Sequence, residues 1–303
     1  MSEDGGRPAV KRYVRPRRCQ LTWWQPPPSK RVARAIPVRR VRFPSTSATP
    51  VALACIGGAI ATGMHARTCP PVATPPFDAV LFDAGGVLVV PDTTVLGPVV
   101  ARFGGTTDRE ALVRAHFAGS HALDQAGGDE EDWLAYHRGY AAACAVDEGR
   151  LDEAAAALLD TLRHAHWREP FPGALEVLAA LDRRGVPIGV VSNAAGQVEA
   201  MLVTEGLCQV GGGGAVPVRC VVDSHVVGVA KPDPAIFDHA LPLLGVEAGE
   251  RIAYVGDTVF NDVRAADAAG LTPLLHDPYG FHAASGAVAR TVRDLAELLD
   301  LVP

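Results

Sequence analysis

Four places along the chain put a polar cluster directly behind a short apolar run. Asp83 follows residues 79–82, Ser192-Asn193 follows 188–191, Asp223-Ser224 and then Lys231 follow 220–222, and Asp257 follows 252–255. Carboxylates can attack an electrophile or hold a hard cation, a hydroxyl can donate to an anion, and an ammonium can balance its charge. Each group alone has a plainer explanation. Asp83 could cap a turn, Ser192 or Asn193 could cap the next helix, Asn261 and Asp262 open a helix, and Asp233-Pro234 reads as the N-cap and first position of one. The argument is convergence: two carboxylates, a hydroxyl and an ammonium from four strand ends. Lys231 strengthens it, being the sole lysine of residues 77–303 in a chain with 25 Arg and 3 Lys. A position kept as lysine among so many arginines calls for a compact charge.

The elements that must position these groups follow from the same pattern. The four runs, and 273–275, are brief, apolar and bounded by Gly, Pro, Asp or Asn. They read as buried parallel strands. Segments 174–184, 196–205, 235–244 and 263–269 carry apolar residues at helical spacing and stop near Gly185, Gly206, Gly245 and Gly270. The predicted class is α/β with a parallel sheet, whose C-terminal strand ends share the edge where ligands bind. About a hundred residues separate the first two strands, more than a crossover needs. Within them 109–117, 131–145 and 151–165 read as helices. The expected division is a core of 77–94 and 169–303, and a helical cap, 95–168, over the crevice.

Charge divides the chain differently. The formal net charge of −6 conceals residues 1–76 at +11 and residues 77–303 at −17. The first part interleaves Arg with Pro, has no sustained period, and is expected not to fold alone. Its apolar run, 51–64, is shorter than the roughly 20 residues a membrane span needs, and the basic stretch before it is too long for an ordinary secretory signal. Clustered Arg binds phosphate without sequence selectivity, but the favoured reading is a translated upstream segment with Met64 as the natural start. No specific nucleic acid and no membrane is expected as a partner. Six cysteines lack any metal-ligand or redox spacing, so a reduced, cytoplasmic protein is expected.

In order and spacing, Leu81-Phe82-Asp83-Ala84-Gly85-Gly86-Val87-Leu88, Val190-Val191-Ser192-Asn193, Lys231-Pro232-Asp233-Pro234 and Gly256-Asp257-Thr258-Val259-Phe260-Asn261-Asp262 resemble the four motifs of the haloacid dehalogenase (HAD) superfamily. The resemblance runs from Phe77 to about Tyr279. It implies a Rossmann-like three-layer core, a helical cap, and Mg²⁺-dependent phosphoryl transfer from a small phosphorylated metabolite through an aspartyl-phosphate. Asp83 would be the nucleophile. Asp83, the Gly85 backbone carbonyl, Asp257 and Asp262, the last directly or through water, would hold Mg²⁺. Ser192 and the Asn193 amide would hold phosphoryl oxygens, with Lys231 balancing their charge.

One position departs from that pattern. Most phosphatases of the superfamily carry a second Asp two residues after the nucleophile as general acid and base; here it is Gly85. Losing such a group costs about 10² to 10⁴ in rate. The consequence is a slow enzyme, an easy leaving group such as an aryl or sugar-1-phosphate, or a donor from the cap, where His116, His121 and His137 are candidates. Packing within a helix face is the plainer reading of each histidine. A phosphomutase needs the missing Asp, and a phosphonoacetaldehyde-type hydrolase needs a cap lysine that 95–168 lacks. A 2-haloacid dehalogenase-like hydrolase and a non-catalytic phosphometabolite-binding protein remain as alternatives.

Overall fold

The computed structural model describes residues 76–128, 133–247, 249–283 and 289–303. The expectations for the basic leader and for Met64 concern residues outside these. At the centre is a six-stranded sheet in which every neighbouring pair is parallel. Its strands are β1 (Ala79–Phe82), β4 (Ile188–Ser192), β7 (Cys220–Asp223), β8 (Ile252–Gly256), β9 (Thr272–His276) and β10 (Arg290–Val292), in the order β10-β9-β8-β1-β4-β7.

β1 is buried at all four residues, which is why it is written as an unbroken apolar run. Val80 and Phe82 enter one core with Leu178, Val190 and Leu202; Ala79 and Leu81 enter another with Phe237, Tyr254 and Ala265. That alternation makes the three layers. Helix α5 (Ala174–Arg183) covers the first face with Ala174, Val177, Leu178 and Leu181, one helical stripe. From β1 the chain builds outward to β4 and β7 on one side, and through β8, β9 and β10 on the other. The order therefore reverses at β1, the place where open sheets bind ligands.

Two short antiparallel strands, β2 (Val89–Pro91) and β3 (Trp167–Pro170), carry the chain out of the core and back, while β5 (Cys208–Val210) and β6 (Val216–Val218) form a separate parallel pair before β7, and the short α7 (Ser224–Val227) follows it. Between β2 and β3 lie α1 (Thr93–Ala101), α2 (Arg109–Ala126), α3 (Trp133–Ala143) and α4 (Leu151–Thr161), packed around their own core of Leu96, Leu112, Leu123, Tyr136, Tyr140 and Leu158.

Several bounds differ from the sequence reading. The helix expected over 109–117 runs on to Ala126, because Ser120 and Asp124, which break its apolar pattern, face the core rather than solvent. The helix expected over 235–244 is split into a 3₁₀ turn, Pro234–His239, and α8 (Leu241–Leu244), since Pro242 supplies no N–H. Asp233 does cap that turn, accepting from the Ala235 N–H at 3.0 Å. The helix expected over 263–269 begins with a π turn, Val259–Val263, before α9 (Arg264–Ala268). Among the described residues, no helix is long and apolar enough to cross a membrane.

Candidate active site

The C-terminal ends of β1, β4 and β8 meet at the reversal, and Lys231 enters the middle of their side chains. Its Nζ lies 3.0 Å from Asp83 Oδ2, 2.6 Å from Asp262 Oδ1 and 2.7 Å from the Tyr254 hydroxyl. Lys231 is 4% exposed. Burial alone would lower its pKa, but the carboxylates of Asp262 and Asp83 outweigh that and hold the ammonium charged. Asp262 sits beneath, with both oxygens in use. Oδ1 accepts from Lys231 and the Tyr254 hydroxyl, and Oδ2 accepts from the Thr258 N–H at 2.9 Å and the Thr258 hydroxyl at 2.6 Å. The π turn brings Asp262 back over its own loop to do this.

Asp83, Asp257 and Asp262 each offer an oxygen, all within 4.8 Å of one another. Three carboxylates against one ammonium leave an excess of negative charge in a buried place. Burial, reinforced by Asp262 and Asp257, pushes Asp83 up to about 7 despite Lys231 beside it. Asp257 goes the other way. Burial would raise it, yet His116, the Ser120 hydroxyl at 2.7 Å and the charge of Lys231 hold it below the usual carboxylate range. His116 Nε2 stands 3.1 Å from Asp257 Oδ2, a contact of ion-pair distance rather than a well-directed hydrogen bond, while its Nδ1 lies 3.0 Å from the Tyr136 hydroxyl.

Two glycines permit the close approach. Gly86 has φ +69°, and a Cβ there would overlap the Asp257 carboxyl; a Cβ on Gly256 would overlap the Asp262 side chain. Gly85 differs. A Cβ there would sit 3.3 Å from Trp167 Cε3 and Cζ3, so the indole of β3 fills the space beside it.

Ser192 ends β4, buried, and lines the same cavity with Asn193. The Asn193 side chain is committed to the Lys231 backbone, donating to its carbonyl at 2.9 Å and accepting its N–H at 2.8 Å. This clamp holds the lysine loop against β4 and leaves the Asn193 main-chain N–H as the part that could meet an anion. Asp223 and Ser224 serve structure. Asp223 accepts from the Gly196 and His225 N–H groups, and Ser224 bonds Ala194, fixing the loop behind Ser192.

Of the three histidines singled out in the sequence, His116 lines the cavity. His137 is tied to the Trp133 carbonyl at 2.6 Å, and His121 packs edge-on to His282. Sequence reasoning missed Ser120, Asp124, Trp167, Tyr254 and His282. The spacing of His116, Ser120 and Asp124 at i, i+4 and i+8 was a legible stripe on α2. Asp124 accepts from the Val259 and Phe260 N–H groups at 2.7 and 2.9 Å and pairs with His282 Nε2 at 3.1 Å. The three buried cysteines among the described residues, Cys144, Cys208 and Cys220, are free and pushed up to about 12, 12 and 11 by burial.

The chain is thus a Rossmann-like α/β protein with an acidic, lysine-centred crevice at its switch point. Residues 77–270 match the family of haloacid dehalogenase-like hydrolases, and the chain belongs to it. It is similar to a phosphoglycolate phosphatase of Rhodospirillum rubrum, 40% identical over 135 residues, covering 43% of this chain and 52% of that protein. It also resembles a phosphoserine phosphatase of Thermus thermophilus, 34% identical over 132 residues, covering 43% of this chain and 50% of that protein. The chain thus spans about half the length of these curated relatives. The crystal structure of a HAD phosphatase from Thermococcus onnurineus superposes with a TM-score of 0.44 at 23% identity, over 73% of this chain and 96% of that one.

Proposed function

We propose that this chain is a Mg²⁺-dependent phosphatase of a small phosphorylated metabolite, working in the cytoplasm through an aspartyl-phosphate on Asp83, with the helical insertion as its cap. The observation that carries this is the buried set of Asp83, Asp257 and Asp262 around a single ammonium. Such a donor set is all oxygen and short of positive charge, which suits a hard divalent cation. Asp83, Asp257 and the Gly85 carbonyl would hold Mg²⁺. Asp262, with every oxygen engaged by protein donors, would reach it through water and organise Lys231. When bound, the ion supplies neutralisation of the repulsion between a carboxylate and a phosphate.

Asp83 attacks phosphorus, forming an acyl phosphate as the ester oxygen departs, and water then releases phosphate and restores the carboxylate. Ser192 and the Asn193 main-chain N–H hold the phosphoryl oxygens; Lys231 balances their charge. The test is phosphate release by the full chain from a panel of phosphate monoesters, with and without Mg²⁺, beside Asp83→Asn. Release that needs Mg²⁺ and vanishes in the variant is expected. No release above the variant sinks the reading, and halide release from 2-chloropropionate replaces it with a dehalogenase.

A further inference from the structure

The cavity that holds the three carboxylates is also walled by aromatic side chains of the insertion and its neck. The cavity, ≈ 130 Å³ in all, is shared between the carboxylates and Lys231 on one part of its lining and side chains of the insertion and its neck on another. Its apolar lining includes Leu123 of α2, Trp133 and Tyr136 of α3, Trp167 of β3 and Met201 of α6 (Val198–Thr204). The rings stand edge to face or tilted: Trp133 and Trp167 have centroids 6.3 Å apart, and Tyr136 and Trp167 6.2 Å apart. Such walls favour a flat apolar guest.

Charge points the same way. Among the described residues that line the cavity, Lys231 is the only Lys or Arg, and it is committed to Asp83 and Asp262. A substrate with a second anionic group, such as the carboxylate of phosphoglycolate or phosphoserine, would lose its water against indole, leucine and methionine with no counter-charge.

Position 85 supplies the third, independent indication. Gly85 brings no acid of its own to the crevice, and the Trp167 indole stands 3.3 Å from where a Cβ would be. A leaving oxygen therefore departs without protonation from that side. That suits a phenol, with a pKa of about 10, and penalises an alcohol whose pKa lies near that of water, about 16.

Resting on the phosphatase reading above, we propose that the substrate is an aryl monophosphate, with one uncharged aromatic ring among Trp133, Tyr136 and Trp167 and its phosphoryl group against Asp83. The bond from an Asp83 oxygen to phosphorus forms as the bond from phosphorus to the aryl oxygen breaks. The phenolate leaves with the electron pair and is protonated by water, and a second water hydrolyses the acyl phosphate to inorganic phosphate.

The experiment compares kcat/KM of the full chain with Mg²⁺ on substituted phenyl phosphates, phosphoglycolate, phosphoserine, glucose 1-phosphate, a nucleoside monophosphate and acetyl phosphate. Phenyl phosphate should exceed phosphoglycolate and phosphoserine by at least tenfold, and kcat/KM should fall steeply as the phenol becomes less acidic. Met201→Lys, at a half-buried position, should shift the ratio at least tenfold toward phosphoglycolate; Trp133→Arg is the second variant should the first fail to fold. Calorimetry on Asp83→Asn should rank phenyl phosphate above phosphoglycolate without turnover. Phosphoglycolate, phosphoserine, the sugar phosphate or the nucleotide matching phenyl phosphate, while acetyl phosphate is hydrolysed, overturns the aryl assignment and spares the phosphatase. No Mg²⁺-dependent hydrolysis of any of the esters or of acetyl phosphate removes both.

Discussion

The two halves of the acidic crevice are built by opposite means. Around Lys231 everything comes from the core: Asp83 from the end of β1, Tyr254 from β8, Asp262 from the π turn and Asn193 from the end of β4. Around Asp257 the partners come from the insertion. His116 and Ser120 of α2 meet its carboxylate, and two turns on Asp124 caps the Val259 and Phe260 N–H groups of the same loop. The first half is complete once the sheet is folded. The second is complete only when α2 lies against the loop, so the insertion is part of how one of the three carboxylates is held.

The strongest way to break this contrast is Lys231→Met. It leaves Asp83 and Asp262 buried without their cation and is expected to cost about 3–5 kcal/mol of unfolding free energy, read by denaturant titration, with loss of phosphatase turnover. A cost below about 1 kcal/mol would mean that the core half is not organised around the ammonium. Next, Asp124→Ala strands two loop N–H groups and takes away one of the two carboxylates that face His282, at an expected cost of about 2–3 kcal/mol in the same measurement. Equal losses for the two substitutions would erase the difference between the halves.

The Asp124–His282–Asp277 cluster also gives the insertion side a pH signature. Burial would lower His282, but Asp124 and Asp277 hold it up to about 9, above its ordinary 6.5. Its contribution is therefore whole below pH 6.5 and is lost as pH rises through 9. Burial would raise Asp277, but the His282 side chain and the N–H groups of His282 and Phe281 draw it down to about 2, so its contribution is whole above 3.8 and lost toward pH 2. Stability measured against pH should fall between 6.5 and 9 by roughly 1–2 kcal/mol, discounted for solvent near the surface, and His282→Gln should flatten that slope. A slope unchanged in the variant would remove His282 as its source. The smallest effect belongs to Ser120→Ala, about 1 kcal/mol, because His116 still faces Asp257. A larger loss would make the hydroxyl, and not the imidazole, the main support of that carboxylate.

Much of the core was legible because buried parallel strands are short, apolar and punctuated. The stretch expected over 79–82 is β1 itself, and the other four strands extend their expected runs by a residue or two. Asp83, Lys231, Asp257 and Asp262 were found because each falls at the end of such a run or in a motif anchored there. The insertion was harder to read. Its polar residues on α2 looked like the end of a helix, since a sequence period shows that a face is polar without showing what it touches. Trp167 carried no signal, because a tryptophan in a neck strand looks like packing until its indole is found over Gly85.

The α/β class, the convergence of carboxylates and lysine on one sheet edge, and a glycine two residues beyond Asp83 could all be read along the chain. Those are properties of local pattern, which a linear text records directly. That Lys231 joins Asp83 to Asp262, that Asp257 is held by an element inserted far from it in the chain, and that an indole stands against Gly85 emerged from the packing of the folded chain. Each of these is a contact between residues tens to more than a hundred positions apart, set by how layers pack and charges are buried, and no local period encodes it.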